Sequence, residues 1–162
     1  MKASVKDVVM ARGGVLLFTH PWLGPLRLHE VDVLICHIDV DPTVRAPRLN
    51  GDRDIEILLR MDLVELGPTA AQGHIDRCAS LCQGVLADLD RVKMWAVEHA
   101  PAKWLHHYGA DGGPPLIDRL FLEGLDVNVD LQVAILFDFG ELDLLEVNLD
   151  AHRECLSVAV VP

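Results

Sequence analysis

Apolar and polar residues alternate over much of the last forty residues. From Leu125 to Phe137 every odd position is apolar, and Asp, Asn and Gln occupy the first even positions between them. Because successive side chains of a strand point to opposite faces, this alternation predicts a strand with one buried face. The pattern recurs at Leu145–Leu149 and again at Leu156–Val160, with turn residues between the segments. We therefore predict an antiparallel meander in this part of the chain.

The middle of the chain has the periodicity of helices. Apolar residues recur at the spacing that gives a helix one apolar side: Ile75, Cys78, Ala79, Cys82, Val85, Leu86 and Leu89. A second helix is predicted from Asp90 to about His99, before Pro101. A short helix from Leu116 to Glu123 is expected after a segment rich in glycine and proline.

Apolar runs near the N-terminus predict further strands. Val15–Phe18 and the β-branched run Val31–Val40 are the two clearest, and His20–Gly24 has the composition of a turn. These segments predict the first strands of a sheet.

A hairpin is predicted around Asn50-Gly51, a dipeptide that readily supplies the positive φ angles of a two-residue turn. It would join Val44–Leu49 to Asp52–Met61, and Pro47 would place the first of these strands at a sheet edge or in a bulge.

All elements together predict one α+β domain over residues 1–162. Its expected architecture is an antiparallel sheet with a central helical pair packed on one face, in the order strands, helices, strands.

The composition is that of a folded globular protein. The chain has 162 residues, of which 51% are hydrophobic, a size that suits one core. Runs such as Val33–Cys36 fall far short of the roughly 20 apolar residues that a membrane helix needs. Asp7 and Arg12 interrupt any apolar stretch of a secretory signal. The four cysteines are therefore expected to be reduced thiols in a cytoplasmic protein.

The charge of the chain is strongly negative and unevenly placed. A net charge of −11 disfavours nucleic acid and anionic membranes as partners. Residues 111–150 carry ten acidic residues against a single arginine. Strand alternation points five of these carboxylates away from the core: Asp126, Asp130, Asp138, Glu146 and Asp150. They predict an acidic sheet face that attracts a basic protein partner, although an ordinary solvated face has the same pattern.

Sequence signatures of catalysis do not occur in the chain. It has no G-x-S-x-G, glycine-rich phosphate loop, C-x-x-C or H-E-x-x-H motif. Asp138-Phe139-Gly140 spells the metal-binding tripeptide of kinases, but the chain lacks their other loops and is too short for one. We therefore predict a protein without catalytic activity and without a cofactor.

One cluster offers an alternative, a metal site. His74, Cys78 and Cys82 follow one another at i, i+4 and i+8 on the predicted helix, and His106 or His107 would give zinc a fourth ligand. The chain would then be a metal-binding module or a small metal-dependent enzyme. The favoured interpretation is that both cysteines are core residues of the apolar stripe, because structural zinc sites usually have their C-x₂₋₄-C pairs on turns and not along a helix.

The segment Phe137–Asp150, FDFGELDLLEVNLD, resembles the C-terminal hairpin of a group of small acidic bacterial proteins of unknown function. Members of the group typically have an aromatic-Asp-aromatic strand, a polar turn, an Asp-x-Leu-Leu-x-Val segment and a final strand. His20–Gly24 and the predicted hairpin at Leu49–Leu59 are also similar to this group. The resemblance therefore runs from about His20 to the end of the chain.

Such proteins, and similar α+β families, are encoded near polymorphic or secretion-system toxins, where they are thought to be immunity proteins. The resemblance implies a cytoplasmic bacterial protein that neutralises a cognate toxin by occluding its active site. With the charge pattern, we expect binding to a basic toxin through the five carboxylates named above. A homodimer that buries surplus apolar surface is a further alternative.

Overall fold

The computed structural model describes residues 15–41, 43–45, 54–102, 115–139 and 143–162. This part of the chain is an α+β structure, and none of its helices is long and apolar enough to cross a membrane. Its elements, in chain order, are β1 (Leu16–His20), β2 (Gly24–Glu30), β3 (Val33–Asp39), β4 (Asp54–Arg60), α1 (Pro68–Ala87), α2 (Leu89–His99), α3 (Leu116–Arg119), β5 (Phe121–Val127), β6 (Val133–Asp138), β7 (Leu144–Leu149) and β8 (Cys155–Val161).

All eight strands belong to one sheet, and their order in space follows their order along the chain. Neighbouring strands pair antiparallel with one exception: β4 and β5 are parallel, with Glu56 opposite Gly124 and Leu59 opposite Val127. The helices come between these two strands in the chain, because parallel strands need a long crossover connection. The sheet is therefore mixed, and the expectation of an antiparallel sheet is wrong at this junction.

The apolar stripe predicted for the central helix is confirmed in α1. Pro68 stands in its first turn, where the missing N–H costs no hydrogen bond. Ile75, Cys78 and Cys82 are fully buried and belong to one hydrophobic cluster with strand residues. The second predicted helix is confirmed as α2. The third ends at Arg119 instead of continuing to Glu123, because the chain already enters β5 there.

The two faces of the sheet differ in burial. Along the paired strands, Ile57, Leu125, Ile135 and Val147 lie side by side and are almost completely buried. We call the face that carries this row the inner face. The residues between them along each strand are partly or fully exposed to solvent in most positions, and they form the outer face. The candidate site lies on the outer face.

Two turns at one end of the sheet are built in the same way. They begin at Asn128, after β5, and at Asp150, after β7. In each, the side-chain Oδ1 of the first residue accepts hydrogen bonds from the backbone N–H of the third and fifth residues, over 2.8 to 3.0 Å. The fourth residue of each turn, Leu131 and Arg153, has a positive φ of 61° and 63°. The first of these turns divides the predicted strand Leu125–Phe137 into β5 and β6.

The N-terminal strands agree in part with the sequence. Val15–Phe18 and Val31–Val40 correspond to β1 and β3, whereas β2 was not predicted. The turn at His20–Gly24 is confirmed: the backbone N–H groups of Trp22 and Leu23 donate to His20 Nδ1, and Gly24 has a φ of 72°. The Asn50-Gly51 turn lies outside the described residues.

The predicted first strand of that hairpin is described only at its start. Val44 is in a turn and Arg45 in a bend. The remainder of that strand, Pro47 included, lies outside the described residues. The strand expected after the turn is present as β4, which pairs antiparallel with β3.

Candidate functional site

A groove of about 330 Å³ lies on the outer face, where the parallel strands β4 and β5 meet. Side chains from β3 to β7 and the bend before β4 surround it. Its lining residues are His37, Arg45, Asp54, Glu56, Leu58, Glu123, Gly124, Leu125, Asp126, Leu136 and Leu144. Acidic groups and leucines therefore make up most of this surface.

The parallel ladder brings the acidic groups together. Glu56 stands opposite Gly124, and Leu58 stands opposite Asp126, so carboxylates of both strands enter the same groove. The register of β5 against β6 shifts between Leu122 and Gly124, which leaves Glu123 as the extra residue. Such a bulge re-aims a side chain relative to a regular strand. Here the bulged residue contributes a further carboxylate to the groove.

Arg45 is the one buried cation of this groove, with only 3% of its surface exposed. Its Nη1 donates a hydrogen bond to the backbone carbonyl of Asp54, and its Nη2 lies 3.5 Å from Glu123 Oε2. The Nε atom is buried without a hydrogen-bond partner. Because the guanidinium faces the protein's own backbone and Glu123, the groove carboxylate that it offsets is that of Glu123.

A second arginine neutralises Asp126. Arg60 Nε and Nη2 donate to the two oxygens of Asp126, each over 2.8 Å, in a two-pronged ion pair. The hydrogen bond with Asp126 is the main reason that the pKa of Arg60 is raised. Glu56 has a weaker neighbour, since His37 Nε2 is 3.9 Å from its Oε2. Glu56 therefore keeps hydrogen-bond acceptors for another group.

Three of the five carboxylates predicted to bind a partner lie on the outer face: Asp126, Asp138 and Glu146. The last two stand beside the groove, because Asp138 pairs with Leu144 and Glu146 pairs with Leu136 across the β6–β7 ladder. Glu146 also accepts a hydrogen bond of 2.7 Å from Asn148 Nδ2. These residues extend the acidic surface from the groove toward β7.

The other two predicted carboxylates, Asp130 and Asp150, lie in the paired turns at the end of the sheet. Asp130 is exposed, and its backbone N–H donates to Asn128 Oδ1. Asp150 uses its own carboxylate to hold its turn, and these backbone hydrogen bonds lower its pKa. The five carboxylates therefore do not share one sheet face, as the alternation alone suggested.

The alternative metal ligands lie in the core. Cys78 and Cys82 are completely buried and His74 is 8% exposed. Burial raises the pKa of the Cys78 thiol to about 12 and raises the pKa of Cys82 as well, which disfavours the thiolate that zinc needs. Among the described residues no group of three or more His, Cys, Asp or Glu is placed to hold a metal ion. His106 and His107 lie outside the described residues.

Four charged residues of the groove were not among the predicted site residues: Arg45, Asp54, Glu56 and Glu123. Polar residues at alternate positions of Asp54–Arg60 were the available signal for β4, since Ile55, Ile57 and Leu59 mark its other face. The pairing of β4 with β5 has no signature in either segment, so the sequence did not show that their carboxylates meet.

Comparison of the chain with protein-family models, with curated proteins and with solved structures gave no match.

Proposed function

We propose that this chain is a non-catalytic binding protein whose outer-face groove receives a lysine or arginine side chain of a basic protein partner. Among the described residues, the groove has four carboxylates, those of Asp54, Glu56, Glu123 and Asp126; Arg60 pairs with Asp126 from beside the groove, and the guanidinium in the lining is that of Arg45. That guanidinium is already engaged by the protein's own groups. This surplus of negative charge at a concave surface is the observation that carries the proposal.

The walls of the groove suit the rest of such a side chain. Leu58, Leu136 and Leu144 are partly exposed and line the same space. Lysine and arginine bury their methylene stems against apolar surface and keep their charged heads on polar groups. A carboxylate hydrogen bond to a charged head is roughly twice as strong as a neutral one. Leucine walls and a half-exposed Glu56 provide both kinds of contact.

The surrounding acidic residues have a different role in this proposal. Asp138 and Glu146 lie beside the groove, whereas Asp130 and Asp150 lie in the turns at the end of the sheet. Surface charges of one sign mainly accelerate the encounter with an oppositely charged partner. We therefore assign these four carboxylates to attraction of the partner and the groove to its retention.

The biological role that we infer is neutralisation of a bacterial toxin in the cytoplasm, by occlusion of a basic active-site cleft. The resemblance of Phe137–Asp150 to the hairpin of toxin-associated proteins supports this role. We also infer that α1 and α2 form a pair that covers the inner face, so that the strands–helices–strands arrangement leaves the outer face to the partner. The hydrophobic cluster shared by helices and strands supports that arrangement.

The test uses the protein encoded by the adjacent reading frame as the probe. Binding is measured by surface plasmon resonance at about 0.05 and about 0.5 M salt. Over this range the Debye screening length falls about threefold. We expect Asp54→Asn/Glu56→Gln to weaken binding roughly tenfold or more, equivalent to about 1.4 kcal/mol. We expect higher salt to slow association of the wild-type chain.

The matched control is Glu98→Gln/Asp130→Asn, which removes the same two kinds of charge at exposed positions away from the groove. It should slow association slightly and leave dissociation unchanged. Equal losses in both double variants, or no binding by the wild-type chain, would contradict the groove as the binding site. A growth assay in cells that express the probe then tests the toxin role separately: binding without protection would exclude neutralisation.

A further inference from the structure

The last strand, β8, lies at an edge of the sheet. Residues Cys155–Val161 pair with β7 on one side only, and no described strand lies on the other side. An edge strand presents a row of unpaired backbone N–H and C=O groups to any chain that approaches. β8 is therefore a strand with half of its pairing capacity unused among the described residues.

The sequence of β8 lacks the usual protection of such an edge. None of its seven residues is charged, and proline follows only at position 162. Natural edges are commonly blunted by lysines, prolines, bulges or short length. The opposite edge, β1, is shorter at five residues and has a register shift between Leu16 and Phe18. The register of β8 shifts only near its start, which leaves Ser157–Val161 regularly paired.

Exposed apolar side chains accompany this edge. Leu156 on β8 is 54% exposed and Met94 on α2 is 53% exposed. The helix contacts β8, and Arg91 Nη2 lies 3.5 Å from Oε2 of Glu154, immediately before the strand. Met94 is three residues after Arg91, so it lies on nearly the same side of the helix. The edge therefore combines unused backbone groups with apolar surface on two elements.

From these observations we infer that a second copy of the chain pairs with β8, strand against strand in antiparallel orientation. A chain with a net charge of −11 repels its own copies over most of its surface. At β8 the two facing strands carry no charge, and their side chains are valine, alanine and serine over Ser157–Val161. β-Branched residues pack well against their neighbours on the pleated surface of a sheet. A two-fold axis perpendicular to the sheet would also bring α2 of both copies together.

This dimer does not depend on the proposed binding of a basic partner. The groove is lined by β3 to β7 and by the bend at Arg45, and β8 contributes no residue to it. In the dimer both grooves would face the same side of one continuous sheet. Loss of dimerisation and loss of partner binding are therefore separable results.

The experiment is sedimentation velocity of the full chain over a range of concentrations. We expect a concentration-dependent dimer for the wild-type chain and a monomer for Ser157→Lys/Ala159→Lys, which places like charges on the facing strands. Leu16→Lys/Thr19→Lys is the matched control on the other edge, since both residues are exposed in β1, and it should still dimerise. Circular dichroism of all variants verifies that each remains folded.

Hydrogen exchange of the wild-type chain gives a second measurement that needs no variant. Amides of Ser157–Val161 should become more protected as the concentration rises, whereas those of β1 should not change. A wild-type chain that is monomeric at every concentration would overturn the inference. Dimerisation that survives the β8 lysines, or that is lost with the β1 lysines, would overturn it equally.

Discussion

Arg60 on β4 and Asp126 on β5 are joined by two hydrogen bonds of 2.8 Å each, across the one parallel ladder of the sheet. The pair lies where the chain has returned from its helices to the sheet. Its side chains are partly exposed, at 44% for Arg60 and 23% for Asp126. This ion pair therefore links the N-terminal and C-terminal halves of the sheet at the side of the groove.

We expect Arg60→Gln to lower the free energy of unfolding by about 0.5–1 kcal/mol, because two-pronged pairs exceed ordinary surface pairs but remain screened by solvent. Urea unfolding of Arg60→Gln, Asp126→Asn and the double variant measures the coupling between the two residues. The loss should shrink at high salt. Additive effects of the two single variants would show that the pair does not stabilise the fold.

Gly124 provides a stricter test of the parallel junction. A Cβ at this position would come within 2.7 Å of the backbone oxygen of Glu56, and backbone cannot move as a flexible side chain does. We expect Gly124→Ala to destabilise the protein by about 1–3 kcal/mol, as overpacking does. Gly73→Ala in α1 is the control, because only the far end of Arg77 lies near it. That control should stabilise by roughly 0.5–1 kcal/mol, and equal effects at the two sites would contradict the β4–β5 register.

His74 should make stability depend on pH. Burial lowers its pKa below the ordinary 6.5, the nearby Arg77 lowers it further, and a hydrogen bond with the Arg60 backbone opposes both. Its Nε2 is buried without a partner. The unfolded chain therefore binds this proton more readily than the folded chain does. The stability from neutral His74 is present above about pH 6.5 and falls as the pH drops toward the folded pKa.

We expect His74→Leu to flatten the pH dependence of the free energy of unfolding between about pH 5 and 7. Urea unfolding at several pH values measures it. His29→Gln is a suitable control, because His29 is an exposed strand histidine, and this variant should keep the wild-type dependence. An unchanged dependence in His74→Leu would show that another group is responsible.

The four cysteines, all within the described residues, should differ sharply in reactivity. Cys36, Cys78 and Cys82 are buried, and burial raises the pKa of Cys36 and of Cys78 to about 12. Cys155 is partly exposed. We expect a thiol reagent such as Ellman's reagent to modify Cys155 quickly and the others only on unfolding, because the thiolate is the reactive species. Cys155→Ser should remove the fast phase of thiol modification.

Metal analysis of the purified protein tests the alternative: stoichiometric zinc would favour the metal site.

The sequence predicted well those features that depend on local periodicity. The stripe from Ile75 to Leu86 identified α1, whereas Leu89, its last predicted residue, begins α2. Alternation identified the buried faces of β6 and β7. The alternation of apolar and polar residues did not reveal the turn at Asn128. Val127 and Val133 are both odd-numbered and both on the inner face, so the alternation continued through a turn that it could not show.

The groove depended on features that no local pattern encodes. Glu56 and Asp126 meet only because β4 pairs with β5, and the three helices that the structure describes separate the two strands in the chain. Glu123 enters the groove through a bulge, and Arg45 reaches it from a bend. Alternation assigns a residue to a face of a strand, but it does not assign the neighbouring strand. Charge counting along the sequence therefore found three carboxylates of the outer face, Asp126, Asp138 and Glu146, and missed the groove beside them.

The single parallel ladder also has a consequence for the order of folding. Strands β1 to β4 pair only with sequence neighbours, and so do β5 to β8 among themselves. Among the described residues, the only strand pairing between these halves is the one between β4 and β5, over four residue pairs. The entropy lost in closing the long intervening loop is therefore concentrated in one step. We therefore expect the two antiparallel assemblies to form independently, and their pairing through Glu56 and Gly124 to limit the rate at which the complete sheet folds.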